Sequence, residues 1–170
     1  MKKLTTGVIT DGISIGNAFV YKPSPIHRSA YAAGCPEEES EAFRKARETI
    51  KAELASQAES DEIFAAHYEM ADDPMLEDQA IMLIEEGIPA YDAVLQTSDA
   101  LCAMFDEIDD EYLKARKDDV KDVCRRIARK LAGEEVSAFE SVSEGSIIVA
   151  HELVPSDTAQ TDFSRICGFV

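Results

Sequence analysis

Between Ala52 and Leu113 the chain has neither lysine nor arginine, yet the same stretch holds 18 aspartates and glutamates. A surface that acidic, with no cations interspersed, is either a plain solvated face or one that repels nucleic acid and anionic lipid and attracts a basic protein. The imbalance is regional, because residues 37–111 carry 23 acids against four bases within a chain of net charge −17. Long apolar runs are also missing. No segment approaches the roughly 18 to 20 apolar residues of a membrane span, and Met1-Lys2-Lys3-Leu4 leads into threonine and glycine rather than into the apolar core of a leader. These absences predict a soluble, cytoplasmic protein with no nucleic-acid or membrane partner. Cys35, Cys102, Cys124 and Cys167 form no Cys-x-x-Cys pair, so neither a zinc site nor a disulfide framework is expected, and they are read as small buried hydrophobes. Glycine-rich phosphate loops and the Gly-x-Ser-x-Gly elbow are absent. None of His27, His67 and His151 belongs to a Glu-x-x-His pair, and the acids from Asp106 to Glu111 lack calcium-loop spacing. No metal site is assigned.

What is present divides into two kinds of periodicity. At the start, Val8-Ile9, Ile13, Ile15 and Ala18-Phe19-Val20-Tyr21 are short apolar runs punctuated by Gly7, Gly12 and Gly16, a strand-and-turn pattern. From Pro36 the spacing becomes helical. Phe43, Ala46, Ile50 and Leu54 make one stripe, and Ile63, Phe64, His67 and Met70 continue on a second helix. Asp73-Pro74 reads as an N-cap and first helical residue of a third helix ending near Gly87, and Pro89 opens a fourth with Tyr91, Val94, Leu95, Leu101, Cys102, Phe105 and Ile108 inward. A fifth has Asp109, Asp110 and Glu111 at its start and Arg125, Arg126, Arg129 and Lys130 near its end, as the helix dipole favours. Its stripe is Leu113, Val120, Val123, Ile127 and Leu131.

After Gly133 the strand pattern returns in Ser146 to Ala150 and Arg165 to Val170, with a brief helix expected from Pro155. Strands at both ends are too few for separate sheets, so they are expected to pair with one another around an inserted helical bundle. The fold class expected is α/β plus inserted all-α. Because the chain stops inside an apolar run, it is read as a fragment. His67 is open to two readings, a partly buried structural histidine or a contact at a partner surface. Met70, Met75 and Leu76 suit a core and also, as adaptable side chains beside acids, a docking site.

Three segments carry a resemblance. Ile63 to Leu76 (Ile-Phe-Ala-Ala-His-Tyr-Glu-Met-Ala-Asp-Asp-Pro-Met-Leu) resembles the signature of the helical subdomain in enzyme I of the phosphoenolpyruvate-dependent sugar phosphotransferase system. Asp109 to Val123 is similar to another stretch of that subdomain, and Val149 to Gln160, followed by Gly168-Phe169-Val170, resembles the family's return into its phosphohistidine domain. The resemblance implies a helical bundle inserted into an incomplete, swivelling phosphohistidine α/β domain: residues 1–35 its first part, 36–133 the carrier-binding subdomain, 134–170 the truncated return.

It also implies a function. In that family phosphate passes from phosphoenolpyruvate, bound with Mg2+ in a C-terminal barrel, to a histidine of the N-terminal domain and then to a histidine of the small carrier HPr, which docks on the helical subdomain. Such a transfer needs two imidazoles brought into line, so docking geometry carries much of the catalysis. The resemblance implies a partner-binding set of Glu59, Glu62, His67, Met70, Asp73, Leu76, Leu113 and Arg116, Glu62 being added because it shares their expected face. The family's Gly-Gly-x-Thr-Ser-His segment would follow Val170, so no catalytic residue is assigned, the fragment is expected to be inactive alone, and the Mg2+ site lies outside it. The parent enzyme would be a homodimer through its C-terminal domain. Two alternatives stay open: a paralogous phosphotransferase serving another carrier, and a non-catalytic acidic helical scaffold for a basic protein.

Overall fold

A computed structural model describes residues 13–22, 31–59, 61–107, 111–134, 139, 142–151, 153–158 and 161–170, with the side chains of 111–115 outside the description. Val8-Ile9, His27, Ile108, Asp109 and Asp110, all named above, lie outside the described residues. The chain forms two compact units, residues 25–136 with 154–156, and residues 1–24, 137–153 and 157–170.

The larger unit is helical. Helices α1 (Pro36–Ala58), α2 (Glu62–Asp72), α3 (Pro74–Glu85), α4 (Ala90–Glu107) and α5 (Glu111–Leu131) follow the expected periodicity closely. The starts of α1, α2 and α3 are chemically marked. Pro36 opens α1 while the Glu38 carboxylate accepts from the Cys35 amide at 3.0 Å. Asp61 caps α2 through the Ile63 amide (2.9 Å), and Asp73 caps α3 through the Met75 amide (2.8 Å), with Pro74 at the first helical position. At the far end of α5, Gly133 takes φ +69°, a left-handed conformation that stops the helix at little cost only for glycine.

Phe43, Leu54, Ile84, Val94, Val123 and Ile127 are fully buried and form the centre of this unit. Each such side chain contributes about 1.5–3 kcal/mol by leaving water. Glu39 staples the unit from one side: its carboxylate accepts from the Ala90 amide at 2.6 Å, from the Gly34 amide at 2.5 Å and from the Tyr31 hydroxyl. Burial alone would raise the Glu39 pKa, but those three donors outweigh it and hold the carboxyl below its usual range. Burial, with Glu39 close by, raises the Tyr31 phenol in turn.

The smaller unit holds three short parallel strands in the order β1-β2-β3, namely β1 (Asn17–Val20), β2 (Ser146–Val149) and β3 (Ile166–Phe169). Strands from both ends of the chain thus share one sheet, with α1 to α5 between β1 and β2 in sequence. Asn17 pairs with Ser146 and Val20 with Val149, while a register shift after Ser146 sets Ile147 opposite Gly168. Gly16 is required at the mouth of β1, since a Cβ there would stand 2.2 Å from the Gly145 carbonyl oxygen. Tyr21, Phe139, Val142 and Ile148 make the unit's core, and the Tyr21 hydroxyl donates to Asp157 at 2.8 Å. A single helical turn, α6 (Pro155–Thr158), and a 3-10 turn (Phe163–Arg165) precede β3.

Several expectations need correction. Ile13 and Ile15 lie outside any strand and are 95% and 92% exposed, because pairing in β1 begins only at Asn17. Cys102 and Cys124 are buried, but Cys35 and Cys167 are exposed, one at the α1 N-cap and the other on the outward side of β3. Burial pushes the Cys124 thiol up to about 12, so it stays a neutral hydrophobe. Ile63 sits in the first turn of α2 and faces solvent instead of joining the inward stripe. No helix among the described residues is long and apolar enough to cross a membrane.

Candidate functional site

The acidic run does not stand alone. Cations from α1 and α5, on either side of it in sequence, reach part of it: Lys51 pairs with Asp72 (2.7 Å), Arg44 and Arg47 with Glu77 (3.3 and 2.7 Å), and Lys117 with Asp106 (2.6 Å). Glu59, Glu62, Glu69 and Asp73 remain exposed to solvent. The corner where α2 turns into α3 is therefore mixed in charge, with Glu69, Asp72, Asp73 and Glu77 beside Arg44, Arg47, Lys51 and Arg116, whereas Glu59 and Glu62 lie by the start of α2.

That corner is held from behind by Arg47. Its side chain is almost wholly buried; Nε donates to the Ala71 carbonyl at 2.6 Å, Nη2 to the Asp73 carbonyl at 3.4 Å and Nη1 to Glu77 at 2.7 Å. The Ala71 carbonyl at the end of α2 lacks an intrahelical donor, and the planar guanidinium fork supplies one while also reaching the Asp73 carbonyl and Glu77. The abrupt turn from α2 to α3 is thereby fixed.

Beside the turn lies an apolar groove of about 360 Å³. Leu76, Leu101, Val120 and Val123 are buried and make its floor, while the exposed Met75 and Met104 stand at its edge, with Met70, Phe105, Asp73 and Arg116 completing the lining. A second, more polar concavity adjoins it, sharing Met70, Asp73 and Arg116 and adding Glu69 and Asp72. An apolar centre ringed by charge is the anatomy of a protein-docking patch.

The groove gathers four of the expected partner-binding residues, Met70, Asp73, Leu76 and Arg116. Three others stand apart from it. Glu59 and Glu62 are exposed near the opposite end of α2, an 11-residue helix and hence about 16 Å long. His67, on the same helix, is fully buried: Nε2 lies 3.3 Å from Asp119 Oδ1 and Nδ1 lies 3.8 Å from Asp122 Oδ2. An ionised Asp119 can only accept, so Nε2 is the donor side of that contact. Of the two readings left open for His67, burial favours the structural one, because α2 is pinned onto α5 through this ring. Asp122 in turn accepts from the Ser156 amide at 3.2 Å and from the Ser156 hydroxyl. The aspartate lies between the histidine and the serine, so nothing here activates the hydroxyl as a nucleophile. Leu113 lies on α5, with its side chain outside the described residues.

Leu101, Met104, Phe105, Val120 and Val123 were missed as groove residues. Helical spacing placed four of them on inward stripes without showing that α2, α3, α4 and α5 leave a groove where these side chains meet. Met104, three residues from Leu101 on α4, was the available hint. Among the described residues no group of three or more His, Cys, Asp or Glu could hold a metal ion.

Comparison with known proteins bears on this geometry. A family described as "PEP-utilising enzyme, N-terminal" matches residues 7–116. The phosphoenolpyruvate-protein phosphotransferase of Haloferax volcanii is 39% identical over 108 residues, 64% of this chain and 19% of that protein. The protein of that name from Listeria monocytogenes is 31% identical over 183 residues, 99% of this chain and 31% of its own length. The chain thus spans a third or less of these curated relatives. A solution structure of Enzyme I superposes with a TM-score of 0.72 at 31% identity, covering 94% of this chain and 69% of that one. The N-terminal domain of a nitrogen Enzyme 1, at 22% identity and a TM-score of 0.65, shares the fold.

Proposed function

The chain belongs to the family of PEP-utilising enzymes, as their N-terminal part, and from that premise we propose that it is the carrier-docking portion of a phosphoenolpyruvate-protein phosphotransferase. Its partner is the phosphocarrier HPr, and the parent reaction is transfer of a phosphoryl group from one histidine to another. In this reading residues 36–133 are the docking subdomain, inserted into a phosphohistidine α/β domain to which 1–35 and 134–170 contribute. Phosphoenolpyruvate, its Mg2+, the phosphorylated histidine and the contacts of a homodimer belong to other parts of the parent enzyme, which acts in the cytoplasm.

The observation that carries the reading is the meeting of Met70, Asp73, Leu76 and Arg116 at one groove beside a corner rich in charged side chains. Carrier docking divides into two tasks. Exposed Glu59, Glu62 and Asp73 steer a basic carrier from a distance, which raises the rate of encounter but adds little affinity per charge, about 1 kcal/mol or less. The groove then accepts apolar side chains and fixes orientation, on which an in-line transfer depends. His67, though buried, supports that surface by holding α2 against α5 through Asp119.

Calorimetric titration with HPr at low and high salt tests the proposal. Binding should be detectable and should weaken as salt rises, and Glu62→Lys or Asp73→Lys should slow association more than it speeds dissociation. Undetectable binding at about millimolar carrier, a weakness below the usual range of a specific encounter, contradicts it.

A further inference from the structure

The docking groove also has a chemical vulnerability, and this inference rests on the docking reading. We infer that Met75 and Met104 form a peroxide-sensitive modification site whose oxidation turns carrier docking off. Met75 and Met104 are 45% and 46% exposed and stand at the groove's edge, one from α3 and one from α4, above a floor of Leu76, Leu101, Val120 and Val123. Met70 lines the same groove but is partly buried and less exposed than either. Met82 is 53% exposed on α3, outside the groove, and so provides an internal control.

The reaction needs a hydroperoxide, hydrogen peroxide being the simplest. The methionine sulfur donates an electron pair to one peroxide oxygen, the O–O bond breaks, a sulfur–oxygen bond forms, and the other oxygen leaves as water after proton transfer. Sulfur is oxidised and the peroxide reduced, by two electrons each. A soft, adaptable side chain becomes a rigid dipole and a strong acceptor. In open solvent the sulfoxide is hydrated at no cost. Once a carrier covers the groove, water is expelled, the aliphatic floor offers no donor, the Asp73 carboxylate repels the new oxygen, and two sulfoxides are left to share the Arg116 guanidinium in the lining. Docking and oxidation therefore oppose one another, and a bound carrier shields both sulfurs.

The test uses the full 170-residue chain. It is treated with graded hydrogen peroxide, oxidation at each methionine is read by peptide mass spectrometry, and HPr affinity is measured on the same samples. Affinity should fall at least tenfold in step with sulfoxide at Met75 and Met104. Saturating HPr should slow oxidation at those two positions and leave Met82 unaffected. The Met75→Leu/Met104→Leu protein, whatever affinity it starts from, should show no further loss on peroxide treatment, whereas Met82→Leu should give no protection. Should the double variant fold poorly, the site-by-site correlation in the unaltered chain still decides. Undiminished affinity with both sulfurs oxidised, or a loss that follows Met82 instead, overturns the inference while leaving docking intact. Untreated protein that fails to bind HPr removes the docking reading and this inference together.

Discussion

The helical unit and the sheet unit solve the same folding problem with very different resources. In the helical unit, long elements bury whole faces against one another, and charged side chains close the joints: Glu39 on the start of α4, Arg47 on the α2–α3 turn, and Arg126 on Glu53 and Gln57. In the sheet unit, four-residue strands surround one small apolar cluster, and Val20, Phe169 and Val170 are 62%, 45% and 48% exposed. Parallel sheets are ordinarily covered on both faces. The difference teaches that order sufficient to hold the groove resides in the helices, and that substitutions of equal size should have unequal consequences in the two units.

The largest contrast is expected from phenylalanine truncation. Phe43→Ala removes a fully buried ring from α1 and should cost about 3–5 kcal/mol, whereas Phe169→Ala, at the exposed edge of β3, should cost less than about 1 kcal/mol. Denaturant titration read by circular dichroism separates them. Similar costs would erase the distinction between the units.

Next comes Glu39→Ala, which strands the amides of Gly34 and Ala90 and should cost about 1–3 kcal/mol. The same residue gives a pH signature. Because its carboxyl is held below the usual range in the folded state, its contribution is fully present above the unfolded pKa and is lost as pH falls through the lower folded value. Glu39→Gln should therefore flatten the acid limb of stability against pH, and an unchanged limb would show that the staple carries no linkage. Asp72, lowered by its hydrogen bond and attraction to Lys51, acts with the same sign but lies in solvent.

How much of this was legible beforehand follows from the range of each interaction. The helices were readable because their signals are local: Phe43, Ala46, Ile50 and Leu54 repeat within one element, and Asp73-Pro74 marks a start by its own chemistry. The groove was readable only in part. Asp73 and Leu76 came from one recognisable segment, but the floor is made where α4 and α5 pass α3, and no local pattern encodes that separation. Arg47 escaped notice for the same reason, since its partners Ala71 and Glu77 are 24 and 30 residues away. Ile13 and Ile15 misled because an apolar alternation signals a strand whether or not a neighbour is in register to pair with it.

A smaller effect sharpens the comparison within the helical unit itself. Arg44, which shares Glu77 with Arg47 but is more than half exposed, should cost under about 1 kcal/mol as Arg44→Ala, whereas Arg47→Ala should cost about 1–3 kcal/mol and shift the amide resonances of Ala71 and Asp73. Equal costs would mean that the α2–α3 turn stands without its guanidinium.

The most direct measurement is a heteronuclear NMR titration of the 170-residue chain with HPr at low salt, followed residue by residue. The largest shifts should fall on Met70, Asp73, Met75, Leu76, Met104 and Arg116, with smaller ones at Glu59 and Glu62 that fade as salt is raised. Shifts centred on Arg44 and Lys45 of α1, or none at about millimolar carrier, would contradict docking at the groove and leave an acidic scaffold for some other basic protein as the better description.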